Sequence, residues 1–357
     1  NGFTWTPPYL MNEITQSTGS EVTIDYIPST TFDNTGSDSL SDLPTSVWVT
    51  SQLTKDNGLS GDQNVVSTIN YTYKNGMQYF DPPEEIEFRG FGEVTVENEN
   101  SITNYFFHQD NVFKGMEYRT EIWDKTGNVY SIKDTNYTSE ERYADVNLVL
   151  LNSINQTQFD GLTQNPESSG GWTSFTTYDE YDDFGNPLSI TEHGDASISG
   201  DERYNYFEYV NEENNWILGL TTHEWLKDSG NVTKNESWYY YDNSNDNSNI
   251  IKGLLTKIVS WNSNGDDPVF SYNYDSYGNV IEITDPNNAS KTVSYDSNNI
   301  YPEYVENALN QREYYEFNDF GRITKITDSN GISTEYAYDS LHRISKMIRV
   351  GDSLSSP

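Results

Sequence analysis

Four histidines, His108, His193, His223 and His342, are the residues of this 357-residue chain best suited to moving a proton near neutral pH. A Ser-His-Asp arrangement would need one of them beside a serine and an acid, and no spacing in the sequence singles out such a trio. The 56 aspartates and glutamates always offer paired carboxylates for glycoside hydrolysis, so the existence of a pair carries no information. Adjacent acids at Asp182-Asp183 and Asp266-Asp267 fall in turn-forming sequence, and four histidines with scattered carboxylates do not compose a metal site. Arg89-Gly90-Phe91-Gly92 has two glycines that could let a backbone approach a phosphate, but no Lys-Ser or Lys-Thr and no helical pattern follow. A bend or bulge in a strand is the expectation there, with Phe91 packed inward and Arg89 paired with Glu85 or Glu87. No catalytic, cofactor-binding or metal-binding residue is assigned, and no enzymatic activity is expected. With no cysteine, disulfide and thiol chemistry are excluded.

The elements that would have to position any chemistry are legible in 271–348, where the sequence aligns with itself at an offset of 43 residues. Tyr274-Asp275-Ser276-Tyr277-Gly278-Asn279-Val280 with Ile283-Thr284-Asp285 returns as Phe317-Asn318-Asp319-Phe320-Gly321-Arg322-Ile323 with Ile326-Thr327-Asp328. The aromatics Tyr274, Tyr295, Phe317 and Tyr338 recur at spacings of 21, 22 and 21, leaving room for two strands and two turns per period and hardly for a helix. Gly278-Asn279, Asn287-Asn288 and Asn330-Gly331 are turn dipeptides, since Gly and Asn accept positive φ. Asp275 and Asp339 are placed to bond nearby N–H groups and start a turn. The unit reads as a β-hairpin, and the four repeat aromatics, sharing one position, are expected to stack as a ladder.

Tyr-Asp-x-x-Gly-[Asn/Arg], followed by a hydrophobic residue and Ile-Thr-Asp, resembles the YD repeat of RHS proteins, teneurins and the B and C components of insecticidal Tc toxins. Looser copies stand at Trp123-Asp124 with Gly127-Asn128-Val129 and at Tyr181-Asp182 with Gly185-Asn186. Trp261 and Gly265 keep only the aromatic and the glycine, Gly230-Asn231-Val232 lacks the aromatic, and His342 replaces the last glycine, which leaves that turn in question. The array is regular from about 255 and degenerate from about 121 to 254, so the expected organisation is 1–120 followed by a repeat array over 121–357.

Residues 1–120 alternate without the repeat, as at Val22-Thr23-Ile24-Asp25-Tyr26 and Ile69-Asn70-Tyr71-Thr72-Tyr73. Pro7-Pro8, Asp81-Pro82-Pro83 and the Asp/Ser/Gly-rich stretch 33–42 interrupt them. Tyr9-Leu10 leading to Gly19, Ile24-Asp25-Tyr26-Ile27-Pro28-Ser29 and Glu87-Phe88-Arg89-Gly90-Phe91-Gly92 resemble the segment that opens the shell in Tc toxin B components and their SpvB-like relatives.

Composition fits an all-β surface protein: 28 Tyr, 15 Phe and 8 Trp stand against 34% hydrophobic residues and a mean hydropathy of -0.78. Aromatic rings must supply much of the buried area, at roughly 150–250 Å² each. Disorder is expected only at 33–42 and 242–249. A net charge of -36 argues against nucleic acid and anionic membranes, and a saline habitat is one reading of it. No apolar run reaches about 18 residues, so no membrane span is expected. The start without Met, mid-pattern at Phe3-Thr4-Trp5 with no signal peptide, reads as a piece of something longer. Sequons at Asn70, Asn136, Asn155, Asn231, Asn235 and Asn288 permit glycosylation without indicating it.

The expected fold is all-β, hairpins wound into one continuous curved sheet. The resemblance implies a secreted or cell-surface scaffold, part of a hollow RHS-type shell around a toxic or unfolded C-terminal polypeptide. Its implied partners are other parts of its own longer chain or a toxin-carrying subunit. A different class is a cell-surface adhesin, since exposed Tyr and Trp would also suit glycans by ring stacking.

Overall fold

The computed structural model describes residues 9–16, 19–36, 40–81, 83, 85–144, 146–165 and 171–352. Phe3-Thr4-Trp5, Pro7-Pro8, Pro82 and positions 37–39 of the 33–42 stretch lie outside the described residues. Among those described, twenty-three β-strands form, and helix is confined to three 3-10 turns, Ser29–Thr31, Gly61–Gln63 and Glu213–Asn215. Among the described residues no helix is long and apolar enough to cross a membrane. The expectation of an all-β hairpin array holds.

Two compact units divide the chain, one of residues 1–204 with 228–230 and the other of 205–227 with 231–357. In the first, strands from Glu13–Thr15 to Pro187–Asp195 each pair antiparallel with the next along the chain. In the second, the same meander runs from Ile217–Asp228 to Ile344–Ile348. Short polar turns between alternating segments permit only nearest-neighbour pairing, which is why sequence order and strand order coincide within each unit.

Strand length differs sharply along the chain. From Leu255–Ser260 to Ile344–Ile348 every strand has five or six residues. By contrast Val66–Asp81 has 16, Glu85–Glu97 has 13, Val129–Tyr143 has 15 and Val146–Gln158 has 13.

Large apolar side chains are seldom buried: among the described residues only Leu43, Val129, Ile132, Leu150, Tyr241 and Ile250 are. No helix covers either sheet face, so most strand residues stay half-buried and rings supply the packing, as the composition implied. Tyr73 lies 4.8 Å from Phe91 and 5.4 Å from Phe32, and Tyr301 stacks on Phe317 at 4.8 Å.

In the two stretches expected to be disordered, Asn34, Asp242 and Asn247 are instead tied down. The side chain of Asn34, 6% exposed, donates to the Ser29 carbonyl and accepts from the Gly76 N–H. Asn247 receives the Tyr241 N–H and donates to the Tyr239 carbonyl, while Asp242 accepts from the N–H groups of Ile251, Lys252, Gly253 and Leu254. Polar loops of this kind are ordered by hydrogen bonds to backbone rather than by apolar burial, so hydropathy misses them.

Candidate functional site

The repeated feature that chemistry has built here is a turn. In the sequence Asp275-Ser276-Tyr277-Gly278-Asn279, the Asp275 carboxylate accepts from the N–H groups of Tyr277 and Asn279, each at 2.9 Å, and from Asn279 Nδ2 at 2.9 Å. The Asp275 N–H donates to the Asn279 carbonyl at 2.9 Å, and Gly278 takes φ 91°, a left-handed conformation that costs glycine nothing. This is a turn closed by a left-handed residue, the geometry a three-residue hairpin loop requires. Partial burial pushes the Asp275 carboxyl up, but the Asn279 side chain and the backbone N–H groups outweigh it and hold the group below its ordinary value.

The same device recurs at Asp285, Asn307, Asn318, Asp328 and Asp339, each accepting from the N–H four residues on. Asp296 uses a loop one residue longer, accepting from Ile300 and Tyr301. Asp124 and Asp182, in the looser copies, behave as Asp275 does. The Asn128 N–H, foremost, holds Asp124 down to about 2. The sequence pointed to caps at Asp275 and Asp339 only; those at Asp285, Asp296, Asn307, Asn318 and Asp328 were not foreseen, and at the two asparagines an amide oxygen does the carboxylate's work. An Asp or Asn every 10 or 11 residues from 275 to 339 was the signal. His342, thought to put its turn in question, takes φ 58° and the turn closes regardless, with the Asp339 N–H on the Arg343 carbonyl at 2.9 Å. Left-handed backbone costs an L-residue only about 1–2 kcal/mol, and three donors to the Asp339 carboxylate, the N–H groups of Leu341 and Arg343 and the Arg343 Nε, oppose that cost.

A second feature alternates with the first. At Tyr241, Tyr274, Tyr295, Phe317 and Tyr338 the ladder slips by one residue, so that each aromatic faces Leu255, Val280, Pro302, Ile323 and Ile344 across a bulge. The intervening pairings, such as Glu282–Thr284 with Ser290–Thr292, run without a slip. The hydroxyl of the next repeat tyrosine then reaches back to the carbonyl facing the bulged aromatic. Tyr274 donates to Leu255 at 2.6 Å, Tyr295 to Val280 at 3.2 Å and Tyr338 to Ile323 at 2.6 Å. A bulge leaves a residue outside the ladder, and a carbonyl beside it must find a donor elsewhere.

This relay extends far beyond the readable repeat. Tyr26 meets Thr50 at a slip, and Tyr73 donates to the Thr50 carbonyl at 2.9 Å. Phe107 meets Glu117, and Tyr137 donates to Glu117 at 3.0 Å; Tyr137 meets Leu151, and Tyr181 donates to Leu151 at 2.5 Å. Burial pushes the phenols of Tyr73 and Tyr181 up to about 12, and those of Tyr137, Tyr274 and Tyr295 upward too. The ring ladder expected of Tyr274, Tyr295, Phe317 and Tyr338 is absent: no ring contact joins them to one another among the described residues. Each lies two strands from the next, too far for rings to touch, and hydroxyl to backbone is the link that forms. Phe317 has no hydroxyl and instead stacks on Tyr301.

Among the described residues Arg89 is the one buried charged side chain, 6% exposed. It slips the ladder between Gly76 and Gln78, with Gly90 at φ 78°, so the expected bulge is present. Its guanidinium lies 3.8 Å over the Tyr79 ring, donates to the Gln109 carbonyl at 3.1 Å and to Asn111, and stands 3.4 Å from Glu87. Glu85, the other expected partner, pairs with Lys114 at 3.5 Å.

The histidines are dispersed. His108 lies 3.4 Å from Asp110, His193 stacks on Phe175 and contacts Thr177, and His342 packs on Phe320. His223 is sandwiched between Trp225 and Trp238, 2.8 Å from Glu236 and 3.6 Å from Glu208. Its two carboxylates address opposite ring nitrogens and do not converge. Among the described residues no three His, Asp or Glu side chains are grouped to hold a metal ion.

Residues 2–121 match the family model of the insecticide toxin TcdB middle/N-terminal region, and residues 317–353 match that of the RHS repeat. No curated protein matches the chain. The fold is similar to the crystal structure of TcdB2-TccC3 without its hypervariable C-terminal region, with TM-score 0.67 and 13% identity over 95% of this chain and 24% of that one. It is similar also to that of TcdB2-TccC3, at TM-score 0.65 and 12% identity over 94% and 24%. The Photorhabdus luminescens Tc holotoxin pore gives TM-score 0.64 and 12% identity over 96% and 24%. The chain thus spans about a quarter of the length of the solved chains it resembles. The resemblance read from the sequence is thus met in two segments, 2–121 being similar to the TcdB middle/N-terminal region and 317–353 to the RHS repeat, on a fold similar to that of the TcdB2-TccC3 chains.

Proposed function

We propose that this chain is wall material: part of a shell, in a secreted or cell-surface protein, enclosing a toxin or other polypeptide that its own longer chain or a partner subunit supplies. The observation that carries this reading is the bulge at every other strand pairing, served by a tyrosine hydroxyl at Leu255, Val280 and Ile323. A bulge bends its strand and increases local twist, and bends of one sense repeated along a meander curve a sheet. A curved sheet with both faces half-exposed is what a container needs and what a compact core does not provide. In this reading the chain catalyses nothing and holds no cofactor.

Glycan binding is less well supported, because a group of four rings that includes two tryptophans is turned on itself. Tyr206, Trp225, His223 and Trp238 stack on one another at 4.3–5.1 Å, so these ring faces are covered. The wall reading is tested by limited proteolysis of the full-length polypeptide with its cargo. Cargo should survive while the shell is intact and become cleavable when Tyr274, Tyr295 and Tyr338 are all replaced by Ala. Cargo digested equally fast in both forms would overturn it.

A further inference from the structure

Asparagine followed by glycine is chemically labile, because a glycine nitrogen carries no side chain beside it to hinder attack on the neighbouring amide. The sequence has five such dipeptides, of which Asn1-Gly2 lies outside the described residues. In three of the other four the glycine N–H is engaged. Gly58 donates to Asp56 Oδ1 at 2.8 Å, the buried Gly76 to Asn34 Oδ1 at 2.9 Å and Gly331 to the Asp328 carbonyl at 2.9 Å. The Gly265 N–H has no hydrogen-bond partner among the described residues.

Asn262-Ser263-Asn264-Gly265 and Asp328-Ser329-Asn330-Gly331 form an internal control, since the same Ser-Asn-Gly follows a capping residue in each. Both Asn264 and Asn330 are exposed. After Asp328 the turn closes: its carboxylate accepts from the N–H groups of Asn330 and Ile332, and Gly331 takes φ 79° with its N–H on the Asp328 carbonyl. After Asn262 it does not. Asn262 Oδ1 accepts from the Asn264 N–H at 3.1 Å, but its own N–H goes to Asp267 Oδ1 at 2.9 Å and its amide to the Asp266 carbonyl at 3.3 Å. Gly265 stays out of the left-handed region, so its N–H is not turned onto the Asn262 carbonyl.

We propose that Asn264 is a self-modification site, where the Gly265 nitrogen and water convert the side-chain amide to aspartate and isoaspartate. The Gly265 nitrogen gives up its proton and bonds to Asn264 Cγ, the Cγ–Nδ2 bond breaks, and Nδ2 leaves as ammonia. Water then opens the cyclic imide at either carbonyl. The product adds a negative charge beside Asp266 and Asp267, and its isoaspartate form lengthens the backbone of the loop joining Leu255–Ser260 to Val269–Tyr274.

The full chain is incubated in mildly alkaline buffer, with conversion at each asparagine followed by peptide mass spectrometry and isoaspartate counted by enzymatic methylation. In the folded chain Asn264 should convert about tenfold or more faster than Asn330, because freeing the Gly331 N–H requires its turn to open. In urea, where both turns are lost, the two rates should converge. Gly265→Ala, whose Cβ would meet only Asn262 Nδ2 at 3.4 Å, should slow Asn264 in both states. Equal or reversed rates at Asn264 and Asn330 in the folded chain would overturn the proposal. So would a difference that persisted in urea, which would assign it to the residues after the glycines, Asp266 and Ile332, rather than to the turns.

Discussion

The strands of 66–158 and those of 255–348 obey one rule by different means. In both, an aromatic sits at a bulge and a later tyrosine hydroxyl serves the carbonyl across from it. In 255–348 everything needed is local: a cap every 10 or 11 residues fixes each turn, and short strands leave no freedom in the register. In 66–158 the strands overshoot their neighbours, and distant groups hold them. Arg89 anchors to Gln109 and Asn111, and the Gly76 N–H to Asn34. Regular repeats thus buy register cheaply from turns, whereas long hairpins depend on contacts between residues far apart in sequence.

Breaking the long-range anchor should have the largest effect. Arg89→Ala leaves Glu87, the Gln109 carbonyl and Asn111 without their shared donor and should cost about 3 kcal/mol, read as a fall in melting temperature. If the comparison holds, hydrogen exchange will quicken at 66–97 while amides of 271–348 keep their protection. Loss of protection in both would show that the array is not locally determined.

Next comes the relay itself. Tyr295→Ala removes a half-buried ring and should cost about 2–3 kcal/mol, less than a fully buried one. Tyr295→Phe isolates the hydroxyl on Val280 at about 1 kcal/mol, and Tyr181→Phe should cost the same if one rule serves both regions. Phe317→Tyr supplies the missing donor opposite Pro302 and should raise the melting point, with a gain of about 0.5–1 kcal/mol. A Phe317→Tyr chain that melts lower would mean that the Tyr301 stack is worth more than the hydroxyl.

The turns are a finer test. Gly278→Ala should cost about 1 kcal/mol through φ alone, since its Cβ would meet only Leu254 at 3.9 Å. His342→Gly should stabilise by less than about 1 kcal/mol, being offset by loss of the Phe320 contact. Chemical denaturation resolves both, and equal effects of opposite sign would show φ to be decisive.

Titration probes both regions at once, with the smallest and most composite signals. The phenols of Tyr73 and Tyr181 are raised from 10.0 to about 12, so their contribution is whole below pH 10 and is lost as pH climbs through 12. Asp124 is lowered from 3.8 to about 2, so its cap is whole above pH 4 and is lost as pH falls through 2. Acid also relieves the repulsion behind a net charge of -36, so the melting temperature should rise slightly before it falls. At neutral pH it should rise with NaCl, as screening over about 10 Å at 0.1 M weakens that repulsion. A melting temperature independent of salt would show the charges to be compensated already.

Among the particulars, Gly278 and Asp275 were legible because a turn is decided within five residues, and nothing distant can change which residue tolerates positive φ. The hairpin period, the all-β class and the bulge at Arg89-Gly90 follow from that same local chemistry and stood in the sequence. The caps at Asp285, Asp296, Asn307, Asn318 and Asp328 were missed because only a spacing of 10 or 11 residues marks them, and at the asparagines an amide oxygen accepts the same N–H as a carboxylate. The relay of Tyr73, Tyr137 and Tyr181 could not be read at all. Each hydroxyl meets a carbonyl 20 to 30 residues back, on a strand whose register is set by a bulge that leaves no mark in periodicity. The exposure of Phe80, Ile86 and Phe88 was likewise invisible, because alternation shows which side chains share a face, and only packing by Asn34, Leu43, Gln109 and Asn111 decides which residues are covered.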